Sequence, residues 1–164
     1  MSLFQLSRKP IIGFAIDWSG NPYHIALING SSDACRALDI NQIVYVGGTL
    51  HSPIHHEGIR NIVYNYINPQ MLNGIVLVGS IKRYCTMDAF KDFFLRYKSI
   101  PIVTITEKVE DLNCIKTDKI QGMKELLRHL INDHHYRKIA FIKGTEGNHD
   151  AEQRYGVFRE ILDE

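Results

Sequence analysis

Asp17 and Trp18 stand side by side where the apolar run Pro10–Ile16 gives way to the turn-rich stretch Ser19-Gly20-Asn21-Pro22, with Tyr23 just beyond. A carboxylate accepts hydrogen bonds from hydroxyl groups, and an indole offers a flat face to the apolar C–H side of a ring. The pair could therefore hold a sugar-like ring. The chain has a single Trp, and the other common use of such a residue is to anchor a subunit contact. Ser80 follows Gly79 after the run Ile75–Val78, and its hydroxyl can donate or accept, although Gly-Ser is also ordinary turn chemistry. Thr104, Thr106 and Lys143 sit at the ends of further apolar runs. Asp118 is placed to cap a helix, because its carboxylate can accept the free N–H groups of a first turn.

Catalytic and metal chemistry find less support. His51, His55 and His56 crowd one stretch, but Pro53 breaks the helix that an i, i+4 ligand pair would need. No Cys pair or acidic set completes a tetrahedral zinc site there. His134 and His135 fall at the end of a helical pattern, where such side chains are favourable against the helix dipole. No Gly-x-Gly-x-x-Gly or Walker loop cradles a phosphate. A phosphoreceiver domain would need an acidic phosphoacceptor where Ser80 stands. The sequence thus predicts no catalytic residues, no metal and no cofactor.

The elements that must position these residues alternate. Strands are expected at Pro10–Ile16, Gln42–Val46, Ile75–Val78, Ile100–Ile105, Asn113–Thr117 and Lys138–Ile142. Helices are expected at Tyr23–Leu38, Glu57–Tyr66 (with Ile59, Ile62, Val63 and Tyr66 facing inward), Met87–Tyr97, from Asp118 to about Asp133, and Asp150–Leu162 after a loop Lys143–His149. The helix behind Asp118 carries Met123, Leu126, Leu127, Leu130 and Ile131 at the spacing of one buried face. Alternation implies parallel pairing through right-handed crossovers, hence an α/β fold with a doubly wound parallel sheet in three α/β/α layers. Ligands of such folds sit beyond the carboxyl ends of the strands, where the strand order reverses.

With 164 residues the prior is one domain, and the apolar fraction of 45% is ordinary for a globular protein. A net charge of +1 argues against a nucleic-acid surface. No apolar run spans a bilayer, and the first residues lack the apolar centre of an export signal, so a cytoplasmic location and no membrane partner are expected. Three cysteines without paired spacing fit a reducing compartment.

Several ordered stretches resemble one family. Ile11-Ile-Gly-Phe14 looks like an opening strand, and Asn21-Pro22-Tyr23 with Gly30 like its first helix start. Asn73-Gly74-Ile75-Val76-Leu77 resembles Asp-Gly-Ile-Ile-Leu, and Ile100-Pro101-Ile102-Val103 resembles Ile-Pro-Val-Val. Thr117-Asp118 with Gly122, then Tyr136-Arg137-Lys138-Ile139-Ala140-Phe141-Ile142, then Ala151…Arg154, complete the series. Their order resembles the periplasmic-binding-protein-like ligand core of lactose/galactose-repressor-type transcriptional regulators. Lys119 (where Asn is usual), His134 (where a glycine ends the helix) and Val157 depart from the pattern.

The resemblance implies a non-catalytic sensor domain of a bacterial regulator, binding a small sugar-like or nucleoside-like ligand between two lobes and pairing as a homodimer. DNA would be met only through a head domain outside this chain. A sensor or dimerisation module of a kinase, diguanylate cyclase or chemoreceptor, or a periplasmic sugar-binding protein, is the alternative. Residues 10–135 would be lobe one and 136–164 the first strand and helix of lobe two, with 1–9 a leader or expression remnant. Lys138–Ile142 would extend the lobe-one sheet or pair with a second copy. The ligand-binding set would be Asp17, Trp18, Tyr23, Ser80, Thr106, Asp118 and Arg154.

Overall fold

The structure is a computed structural model that describes residues 9–144 and 149–163. Most of 1–9, expected as a leader or expression remnant, and the centre of the expected loop Lys143–His149 lie outside the described residues. Five parallel strands, β1 (Ile11–Ile16), β2 (Asn41–Val46), β3 (Gly74–Val78), β4 (Ile102–Ile105) and β5 (Asn113–Ile115), form one sheet in the order β2-β1-β3-β4-β5. β1 lies in register against β2 (Ile11 with Asn41 through Ile16 with Val46) and against β3 (Ile12 with Gly74 through Ala15 with Leu77). The chain winds first to one side of β1 and then to the other, so the reversal falls between β1 and β3.

Side chains alternate across the strands and define two cores. Ala15, Tyr45, Ile75, Leu77 and Ile102 point to one face and pack with Tyr64, Phe90, Phe93, Phe94 and Tyr97. Phe14, Ile16 and Val78 point to the other, against Leu27 and Ile28 of α1 (Pro22–Ala37). The first face is covered by α2 (His55–Arg60), the 3₁₀ turn Asn61–Tyr66 and α3 (Met87–Leu95). Burial on both faces explains why the strands read as continuous apolar runs. The three α/β/α layers and the parallel, doubly wound sheet are therefore as expected.

Two expectations are corrected. The inward face assigned to the second helix holds only at Val63, which packs on the core; Ile59, Ile62 and Tyr66 are exposed. The helix tightens to 3₁₀ after Arg60, and Tyr64 takes the inward position, its hydroxyl donating to the Gly48 carbonyl at 2.6 Å and lying 3.2 Å from the Ile16 carbonyl. Asn61 Nδ2 donates to the Gly47 and Thr49 carbonyls in the same turn. Lys138–Ile142 does not extend the sheet either. It takes no place in the five-stranded sheet, and without a partner ladder it has only side-chain packing, through Ile139 and Phe141, while Ile142 is bare.

The chain divides into two compact units at Lys116/Thr117, so the helix behind Asp118 groups with the residues that follow it. In that second unit α4 (Lys119–Asn132) packs on α5 (His149–Asp163) through Leu127, Val157, Phe158 and Ile161. Lys119–Asp150, Lys124–Glu160 and Lys143–Glu152 pair across the same unit. Among the described residues no helix is long and apolar enough to cross a membrane.

Candidate functional site

Asp17 is the first residue past β1 and is buried at the carboxyl edge of the sheet. Ser80 opens from the 3₁₀ turn Gly79–Lys82 after β3, and its hydroxyl donates to Asp17 Oδ1. That bond spans the reversal in strand order, the place where this fold class binds ligands. His24 Nε2 lies 3.5 Å from the same oxygen.

The His24 tautomer follows from its neighbours. Asn21 caps α1, its Oδ1 accepting from the His24 N–H at 2.9 Å. This fixes the amide, so Nδ2 is the atom 2.8 Å from His24 Nδ1 and must donate to it. Nδ1 is then an acceptor, and the ring proton sits on Nε2, facing Asp17. Asp17 Oδ1 thus accepts from the Ser80 hydroxyl, and the His24 Nε2–H faces it at 3.5 Å. Its Oδ2 remains as an acceptor.

Around Asp17 is a half-open cavity of about 240 Å³. Trp18 forms one wall, folded back over Gly20, where a Cβ would come within 2.6 Å of the indole nitrogen. Arg60 lies over the indole face, its Cζ 5.1 Å from the ring centroid. Arg83, Glu57, Thr49 and Gly48 complete the lining with Asn21 and His24. Gly48 has φ +77°, which glycine adopts without strain, and its N–H donates to the Asp17 carbonyl at 3.2 Å. Glu57 Oε2 accepts from Ser52 at 2.7 Å and Thr49 at 3.2 Å. The Ser52 hydroxyl, chiefly, holds the Glu57 carboxyl below the ordinary carboxylate range, assisted by Thr49, His56 and Arg60 against an opposing effect of burial. Beneath the floor, burial pushes the Tyr64 phenol far above its ordinary value, and the Asp17 charge adds to the shift. The cavity therefore offers carboxylate acceptors, guanidinium donors and one aromatic face. A polyhydroxylated ring uses all three.

Of the sequence candidates, Asp17 and Trp18 line this cavity, and Ser80 stands behind Asp17. Tyr23 is exposed on α1 beside His24, ring centroids 5.5 Å apart, outside the lining. Thr106 ends β4 at φ +71°, with its N–H bonded to the Ile115 carbonyl at 2.9 Å and its hydroxyl against Gly79. Thr104 is buried, and Lys143 pairs with Glu152 at 2.6 Å. Asp118 and Arg154 belong to the second unit. Asp118 Oδ1 caps α4 by accepting from Ile120 and Gln121, and Arg154 Nε donates to the Asp150 carbonyl at 3.1 Å. His24, Glu57, Arg60 and Arg83 escaped the sequence reading. Only His24 carried a signal, the Asn21-x-x-His24 spacing of a cap.

No protein-family model matches the sequence, and no curated protein matches it. Solved structures do share the fold. The transcription regulator CcpA of Lactococcus lactis aligns with a TM-score of 0.70 at 18% identity, over 94% of this chain and 54% of its own. A periplasmic binding protein/LacI transcriptional regulator from Alkaliphilus metalliredigens, complexed with D-xylulofuranose, gives 0.65 at 18% identity, over 94% and 53%. A LacI family regulator from Enterococcus faecium with bound ribose gives 0.64 at 17%, over 93% and 52%. The chain thus has the type I periplasmic-binding-protein-like fold of LacI-family regulators and sugar-binding periplasmic proteins, and spans about half the length of these structures.

Proposed function

We propose that this chain is the sensor core of a lactose-repressor-type bacterial transcription regulator and that its Asp17–Trp18 cavity binds a sugar-like ligand. The observation that carries the reading is the Asp17 carboxylate, bonded to Ser80 and faced by His24 at 3.5 Å, beside Trp18 where the strand order reverses. Asp17 Oδ2 accepts from ligand hydroxyls, the ligand's apolar ring face takes the place of the Arg60 guanidinium on the Trp18 indole, and the displaced Arg60 and Arg83 donate to ring or hydroxyl oxygens. The role is binding without chemistry.

The division at Lys116/Thr117 supports a first lobe ending there and a second lobe beginning at Thr117, earlier than residue 136. Differential affinity for open and closed lobes sets the output, delivered through a homodimer to a DNA-binding head. A glucose-galactose binding protein from Geobacillus stearothermophilus, sharing the fold at TM-score 0.65, keeps the periplasmic-carrier reading as the alternative.

A thermal-shift screen of pentoses, hexoses and nucleosides tests the ligand class. At a hundred times the dissociation constant, binding stabilises by about 2.7 kcal/mol, a rise of roughly 5–10 °C for a domain of this size. Asp17→Asn abolishes the rise. No rise with any sugar, or an unchanged rise in Asp17→Asn, would overturn the proposal.

A further inference from the structure

At the carboxyl end of α4, far along the chain from the cavity residues, His129, Asp133 and His134 form a group that the sensor reading does not use. Asp133 Oδ2 lies 2.6 Å from His129 Nδ1. A carboxylate only accepts, so Nδ1 carries the proton and His129 Nε2 presents its lone pair. That Nε2 accepts from the Nε2–H of His134 at 3.0 Å, with the ring planes at 89° and the centroids 4.6 Å apart; an ion bound by both nitrogens takes the place of this proton, and His134 then keeps its proton on Nδ1.

The two distances together are informative. Imidazoles joined by a straight N–H···N bond at this separation would place their centroids about 5.3 Å apart. The shorter centroid distance means that the ring axes are bent away from the N···N line. Rings equally inclined to the same side have axes that meet at about 90°, about 2.1 Å from each nitrogen, which is the length of a metal–imidazole bond. A tetrahedral pair would hold the nitrogens about 3.3 Å apart, whereas two adjacent positions of a square-planar or tetragonal ion need about 2.9 Å.

We propose that His129 and His134 bind a divalent first-row ion of tetragonal preference, copper(II) above all, through their Nε2 atoms. Asp133 orients His129 as carboxylates orient histidine ligands in established metal sites. Tyr136 stacks on His134 at 5.5 Å and 15° and fixes the second ring. The helix end is held by its own backbone, since the Asp133 and His134 N–H groups both bond to the His129 carbonyl, so the rings need not be joined to secure the turn. His129 has a side-chain exposure of 53%, which leaves a path for ions. Among the described residues no group of three or more ligating side chains converges on a metal position; water fills the remaining positions.

Isothermal titration with copper(II), paired with electron paramagnetic resonance of the bound ion, tests the site on the whole chain. One equivalent binds, with a tetragonal spectrum showing two nitrogen ligands. His129→Ala and His134→Ala each weaken binding at least about tenfold and remove one nitrogen, and Asp133→Asn weakens it about tenfold with both nitrogens kept. His135→Ala and His56→Ala bind as wild type, and circular dichroism shows equal helix content throughout. Wild-type affinity in both His129→Ala and His134→Ala would overturn the site, as would a spectrum with fewer than two nitrogens.

Discussion

Asp17 works because its neighbours have been arranged around one of its two oxygens. Ser80 donates to Oδ1, His24 faces it at 3.5 Å, and the Asn21 amide dictates which His24 nitrogen bears the proton. Tyr64 supports the same floor from below, through the Gly48 carbonyl. Tyr64→Phe leaves a buried acceptor without its donor and should cost about 1–3 kcal/mol, read from the denaturation midpoint. The phenols of Tyr45, Tyr64 and Tyr97 are all raised, chiefly by burial. Their contribution to stability is fully present below the unfolded tyrosine value of about 10 and is lost as the pH climbs above it, since the unfolded chain then releases protons that the folded chain keeps. Denaturation followed from pH 8 to 11 should show a flat region and then a decline above about pH 10; an unchanged midpoint through pH 11 would refute the burial argument.

Among the elements, the loops at the carboxyl edge are set by close backbone packing. A Cβ at Gly79 would lie 2.5 Å from the Glu107 Cβ and 2.8 Å from the Thr106 hydroxyl, so the turn that carries Ser80 fits under the end of β4 only as glycine. Gly79→Ala should destabilise by about 1–3 kcal/mol and displace Ser80 from Asp17, checked by thermal melting together with the loss of ligand-induced stabilisation. The strands were legible in the sequence because doubly buried strands are continuous apolar runs with turn residues at both ends. The same signal misled at Lys138–Ile142, where the run is present but none of the five strands among the described residues pairs with it, since an apolar pattern records what a segment can bury and not whether a ladder is there. The second helix misled for another reason: the tightening after Arg60 rotates Tyr64 inward, and periodicity at 3.6 residues per turn cannot foresee it.

For the molecule as a whole, the alternation of strands and helices pointed to the carboxyl ends of the strands, and Asp17 and Trp18 were readable because they immediately follow β1. His24, Glu57, Arg60 and Arg83 were not, because they arrive from α1, α2 and the turn after β3, separate stretches that only the fold brings together. The central claim is that this assembled cavity holds a sugar-like ring against Trp18. Trp18 is the only tryptophan of the chain and is 42% exposed at the cavity wall, so its fluorescence reports the site without a label. Titration with a panel of pentoses and hexoses should give a saturable change in its emission with at least one sugar, and Asp17→Asn should abolish that change. Emission that stays constant across the panel, or a titration curve that survives Asp17→Asn unaltered, would contradict the account.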